Sequence, residues 1–315
     1  MKIIFAIERK EEQFSYARCF QLWSERLSGK LMNIDEIDSQ ALDECDFLLI
    51  DDFWSTVLSR KFPKHRRKIV AYLQTMRGLN VLRFEGTKSI QMSMAEYLPF
   101  SLIVKHYKRC LKDLGGIIAN SYRTSGLAHL LYNLQVNDVV FPPVNMEYFK
   151  PNINKKDIAL VYSSAPYLTE FVDPIDHKNL EFFLTIALRA GLEVHSFGRA
   201  LKCHSKIFQH VNVSTKEVAS LYSTSRVTFT PQLMEIFGLV PLESMSSGTP
   251  VISTYQHEAL ITGTNGYVLD ERIALKQIKN LMKCDSTSVR ESVKKFDISQ
   301  SAHKLQTALN HLTDT

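Results

Sequence analysis

Apolar residues along the first half of the chain fall into short runs separated by longer stretches where they recur at every third or fourth position. The runs at 2–7, 46–50, 68–74, 116–120 and 138–141 read as strands, several of them continuous enough to be buried on both faces. Between them, 13–27, 94–114 with a break at Pro99, and 124–133 carry helical spacing. Strands alternating with helices are the sequence form of βαβ units, so an open α/β sheet of parallel strands is expected.

Prolines interrupt the pattern at Phe141-Pro142-Pro143-Val144-Asn145 and at Phe149-Lys150-Pro151. They resist helix and sheet alike, which marks a linker with its boundary near 145–152. The alternation then resumes, with strands at 158–162, 193–197, 227–230 and 250–253 and helices at 178–190, 215–223 and 239–247. A length of 315 residues is enough for about two domains. Two Rossmann-like domains in tandem are expected, with a cleft where the C-termini of their strands meet.

Composition narrows the class. With 45% hydrophobic residues, 18 Phe and 12 Tyr the chain is globular, and no apolar run approaches the roughly 18 residues that cross a bilayer. The start, MKIIFAIERKEE, turns charged too early for a signal peptide, so a cytoplasmic location is expected. Cys19, Cys45, Cys110, Cys203 and Cys284 form no CxxC pair and have no histidine at zinc spacing, and they read as reduced and structural.

The net charge of +5 is unevenly spread: between Arg60 and Lys112 only Glu85 and Glu96 oppose thirteen Lys and Arg residues. Residues 60–112 therefore favour an anionic partner, against the plain alternative of a solvated basic face. The apolar positions from Ile90 to Val104, followed by Lys105, Lys108, Arg109 and Lys112, would suit peripheral docking on the inner face of an anionic membrane. A core helix with a solvated end reads equally from the same residues. No recognised nucleic-acid module accompanies the cluster, so nucleic acid is not expected as a partner.

The densest chemistry lies at 231–248, PQLMEIFGLVPLESMSSG. Glu235 and Glu243 are separated by seven residues, and Phe237-Gly238-Leu239 between them opens an apolar helix. A helix beginning near Gly238 would aim free N–H groups and its positive dipole end at phosphate oxygens, and glycine there permits close approach. The two carboxylates could address opposite ends of one elongated ligand, accepting hydrogen bonds from vicinal hydroxyls. A lone Glu243 would read as a surface helix acid.

This stretch, continued by TPVIST, resembles the E-x7-E signature of the group 1 family of retaining glycosyltransferases, which share the GT-B fold. GGIIANS at 115–121, VVFPPVNMEYFKP at 139–151, His177-Lys178-Asn179-Leu180, Ser214 to Tyr222, and Gly263-Thr264-Asn265-Gly266-Tyr267 resemble further segments of that family. The resemblance implies an α/β GT-B chain of two Rossmann-like domains facing each other across a cleft. An acceptor domain would span 1–145 and a nucleotide-sugar donor domain 152–290, with a final helix over 291–315 packing back on the first. By the same resemblance Glu243 would hold the nucleotide ribose and Glu235 the donor sugar. The amides of Phe237, Gly238 and Leu239 would hold sugar and diphosphate, while Lys178 would neutralise the departing diphosphate. Fixed cations and helix N-termini can stabilise that leaving group, so neither a metal ion nor another cofactor is required. Asp51-Asp52 in the first domain reads as loop acids rather than a metal site.

Three departures qualify the resemblance. Ile7-Glu8-Arg9-Lys10 lacks the family's Gly-rich loop after the first strand, and Val161-Tyr162-Ser163-Ser164 stands where the family has Gly-Arg. Ser163 could donate a neutral hydrogen bond there, and Arg199, at the next strand end, could supply the charge. Gln74 replaces a family histidine and would position a sugar hydroxyl without changing charge; His106 reads as a surface residue of the basic helix. The expected function is transfer of a sugar, with retention, from a nucleotide-diphosphate sugar to a glycan or lipid-linked hydroxyl acceptor. The rival reading is a noncatalytic GT-B-like scaffold that binds a nucleotide or glycan.

Overall fold

The computed structural model describes residues 1–8, 15–74, 100–152, 154–163, 174–198, 206–231 and 237–313, apart from the side chains of 15–16, 100–104, 106 and 174–178. The chain divides into two compact units, Met1–Pro143 with Ile298–Thr315, and Val144–Asp297. Each carries a six-stranded sheet, parallel at every pairing among the described residues.

In the first unit β1 (Ile3–Ile7), β2 (Lys30–Asn33), β3 (Phe47–Asp51), β4 (Ile69–Leu73), β5 (Gly116–Ala119) and β6 (Asp138–Val139) lie in the order β2-β1-β3-β4-β5-β6. Strands β1, β3, β4 and β5 are buried at every position, as continuous apolar runs require when helices cover both faces. The covering helices are α1 (Ser15–Leu27), α2 (Ser39–Glu44), α3 (Asp52–Lys61), α4 (Phe100–Lys112) and α5 (Tyr122–Tyr132).

The helix Ile298–Thr313 closes this unit from far along the chain. Fully buried Trp23 of α1 donates its indole N–H to Ser301 Oγ at 3.0 Å, and Ser301 donates to the Phe141 carbonyl at 2.6 Å. Lys304 meets Asp138 at 2.7 Å. Trp23 also packs edge-on against Tyr72, with ring centroids 5.2 Å apart, and the Tyr72 hydroxyl donates to the Val140 carbonyl.

The second unit holds β7 (Ile158–Ser163), α6 (Pro174–Arg189), β8 (Glu193–Gly198), β9 (Ile207–Val211), α7 (Thr215–Thr224), β10 (Val227–Thr230), α8 (Leu239–Ser246), β11 (Val251–Ser253), β12 (Gly266–Val268), α9 (Ala274–Leu281) and α10 (Ser286–Glu291). The closing helix of the first unit is then α11 (Ile298–Thr313). The sheet order is β12-β11-β10-β7-β8-β9, so it reverses between β7 and β10, and ligands of such sheets bind outside the strand C-termini at that reversal. Phe183 of α6 stacks on Phe229 of β10, with centroids 4.0 Å apart, at the centre of the core.

Segment Val144–Pro151 belongs to this unit, and Met146 and Phe149 are buried in it. Arg290 of α10 reaches three carbonyls, those of Met146 (2.7 Å), Phe149 and Ser246 (2.6 Å), and so ties the incoming chain to the end of α8.

One expectation fails outright. Asp51 and Asp52 are not loop acids: Asp51 caps α3 by accepting the Trp54 N–H at 2.8 Å, and fully buried Asp52 accepts the Tyr107 hydroxyl. Helix α3 starts there because a carboxylate satisfies one of its free N–H groups. Part of the basic stretch is also used within the unit, since Arg66 donates to the Ser59 carbonyl and Lys68 to those of Leu42 and Asp43.

Candidate functional site

Strand β10 ends at Thr230-Pro231, and the chain re-enters the description at Phe237 to begin α8. Gly238 caps α8 with φ 68° and ψ 122°, a conformation that a side chain would strain. Among the described residues no side chain caps the helix, and the N–H groups of its first turn, at the C-terminal edge of the sheet, suit an anion. Pro241, in that same turn, has no N–H to satisfy.

His257 fixes this entry from below. It is 1% exposed; its Nδ1 accepts the Ala259 N–H at 3.0 Å, so the ring proton sits on Nε2 and is donated to the Gly238 carbonyl at 3.1 Å. Burial holds the imidazole neutral, with its pKa lowered to about 4. The Phe237 ring lies 4.8 Å from the His257 ring and 6.1 Å from Phe296, which anchors the residue before the cap. Asn265 supports the whole arrangement by donating to the Ala259 carbonyl at 2.8 Å and accepting the Ile261 N–H at 2.7 Å. A chain of contacts thus runs from Asn265 through Ala259 and His257 to Gly238.

Glu243 lies on the buried side of α8, 5% exposed, and accepts a hydrogen bond from the Tyr222 hydroxyl of α7 at 3.3 Å. It is not a solvated surface acid. A carboxylate so placed is desolvated and has to be held by hydrogen-bond donors. Ser244 fixes the same helix by donating to the Thr249 carbonyl at 2.9 Å and lying 2.8 Å from Thr228 Oγ1.

The neighbouring strand ends complete the edge. Ser163 closes β7, 7% exposed, and pairs with Gly198 at the end of β8. Gly198 has φ 107°, and a Cβ there would stand 2.5 Å from the Ser163 carbonyl oxygen, so only glycine fits this approach. Asn179 of α6 donates to the Pro231 carbonyl at 3.2 Å, which sets the turn carrying Lys178 beside the exit of β10. That helix starts at Pro174, so Lys178 stands inside it rather than at its head.

Of the candidate residues, Ser163, Phe237, Gly238, Leu239 and Glu243 share the second unit's sheet edge and the helix it feeds. Glu235, Arg199 and the side chains of Lys178 and His106 lie outside the described residues. Gln74 belongs to the first unit, at a bend after β4, where its carbonyl accepts the Asn120 side-chain amide at 3.3 Å. His257 and Tyr222 escaped the sequence reading: neither sits at a telling spacing, and their importance comes from what folds against them. Among the described residues no group of His, Cys, Asp and Glu could hold a metal ion, and no helix is long and apolar enough to cross a membrane.

Residues 194–295 match the family model of Glycosyl transferases group 1. No curated protein matches by sequence. Among solved structures, sucrose-phosphate synthase from Thermosynechococcus elongatus superposes with a TM-score of 0.72 at 12% identity, covering 99% of each chain. The lipopolysaccharide outer core galactosyltransferase WaaB, in its apo form, gives 0.65 at 13% identity, again over 99% of each chain. The pneumococcal O-GlcNAc transferase GtfA, solved with UDP and GlcNAc, gives 0.56 at 11% identity over 85% of this chain and 57% of that one. Residues 194–295, with Gly238, Glu243, His257 and Asn265 among them, are thus similar to the group 1 glycosyl transferase model, on a chain that has the fold of GT-B glycosyltransferases.

Proposed function

We propose that the protein transfers a sugar, with retention and without a metal ion, from a nucleotide-diphosphate sugar to a glycan or lipid-linked hydroxyl acceptor. The observation that carries this reading is the uncapped N-terminus of α8, headed by Gly238 at the sheet's point of reversal, with Glu243 buried one turn further on. The diphosphate would lie against the amides of Gly238 and Leu239, and Glu243 would accept from the ribose hydroxyls. Glu235 would hold the sugar, with Lys178, Ser163 and Arg199 around the diphosphate. Charge grows on the departing phosphate, so donors already fixed in place lower the barrier without reorganising.

Thermal unfolding against UDP, GDP, ADP, CMP and their sugar conjugates, with EDTA present, tests the proposal. UDP comes first, because the neighbouring O-GlcNAc transferase was solved with it. A ligand at about 100 times its Kd adds about 2.7 kcal/mol, a rise of several degrees. Glu243→Ala is expected to remove most of that rise, while Glu235→Gln keeps it and loses transfer. No rise with any nucleotide would favour the noncatalytic scaffold, whose support is the glycine-free end of β1, Ile7-Glu8.

A further inference from the structure

In the second unit α6 and α9 border a cavity of about 640 Å³. Its wall combines two chemistries. Phe182 and Ile186, successive on one face of α6, give it an apolar floor, and Leu275 adds to it from α9. Arg189, Lys276, Lys279 and Lys283 line the same space, all exposed to solvent, and among the described residues none of them has an acidic partner. Arg272 is committed to Asp270 at 2.8 Å, and Glu271 is the one acid on the wall. Lys276 and Lys279 stand on one side of α9, Lys283 follows just past its end, and that helix contains no acid at all.

Surface lysines that serve only for solubility are normally interspersed with acids, and they need no apolar floor between them. Ile273, 47% exposed beside Lys276, adds an aliphatic side chain at the rim. Aliphatic groups ringed by lysines suit a surface that is anionic outside and hydrocarbon beneath. A nucleic acid would use the cations but gain little from Ile273 and Ile186, since single strands are held by aromatic stacking.

We propose that this groove between α6 and α9 docks the protein on an anionic phospholipid bilayer, with lipid phosphates among Arg189, Lys279 and Lys283 and Ile273 entering the interface. The surface lies on different helices from the 60–112 stretch and does not depend on the transfer reaction.

Cosedimentation of the full chain with vesicles of phosphatidylcholine, with and without phosphatidylglycerol, tests it. Binding is expected only to the anionic vesicles and should weaken steeply with salt. Lys276→Glu, Lys279→Glu and Lys283→Glu together should lower partitioning by on the order of a hundredfold, since each basic side chain at such a surface contributes about fivefold. Ile273→Asp should weaken binding separately, and both variants should keep the wild-type melting temperature and nucleotide response. Unchanged partitioning of the triple variant would overturn the proposal. So would loss of binding on reversing Lys105, Arg109 and Lys112 instead, or competition by duplex DNA as effective as anionic vesicles.

Discussion

A single imidazole carries much of the geometry at the head of α8. His257 donates to the Gly238 carbonyl and accepts from Ala259, so His257→Leu leaves a buried acceptor and a buried donor without partners. The expected cost is about 1 to 3 kcal/mol for each, with nucleotide affinity reduced as the cap loosens, measurable by unfolding and by calorimetric titration. His257→Gln can restore a donor toward Gly238 and should recover part of both. The pH dependence has a definite sign. Folded His257 stays neutral down to about pH 4, whereas the unfolded chain takes up that proton near 6.5. The unfolded state therefore binds more protons between these values, and stability should fall as pH drops from 6.5 to 4, by about 3 kcal/mol in all. His257→Gln should lose that component of the acid sensitivity, which chemical denaturation across the window would detect. Nothing in TYQHEAL foretells this role, because His257 acts on a residue nineteen positions earlier in sequence that only the fold brings near.

At the scale of elements, legibility followed burial. The strand at Val227–Thr230 and the helix from Leu239 stand where the apolar pattern placed them, because a central strand and a core helix have few polar positions to blur the signal. Of the described edge strands, only β6 at Asp138–Val139 was foreseen. β2 (KLMN), β9 (IFQHV) and β12 (GYV) are short, with several positions open to solvent, so their sequences carry neither a continuous apolar run nor strict alternation. Helix α10 was equally silent, since STSVRE is polar apart from one valine. Its Arg290 nevertheless joins three backbone carbonyls, those of Met146, Phe149 and Ser246. Arg290→Leu should destabilise the second unit by about 3 kcal/mol or more, whereas an exposed exchange such as Lys294→Ala should cost under about 0.5 kcal/mol. Comparing the two by urea unfolding separates the clamp from a generic loss of charge.

Across the whole molecule, the chain passes from the first unit to the second and returns, so the first is built from segments at both ends of the sequence. The apolar pattern can show that two sheets exist, but it cannot show which of them a late helix completes. That depends on particular matches, such as Trp23 with Ser301 and Asp138 with Lys304. Gly116 records the same fit, since a Cβ there would stand 2.4 Å from the Leu312 side chain. Ending the chain after Asp297 would therefore uncover Trp23, now fully buried, and strip the first unit while removing no residue of the second. The expected result is a red-shifted tryptophan emission and early proteolysis within 1–143, with Val144–Asp297 persisting as a resistant fragment. Trp23 and Trp54 are the chain's 2 tryptophans and both lie in the first unit, so the emission reports on that unit alone. Unshifted emission from the truncated chain would mean that the sheet from β1 to β6 holds its core without α11.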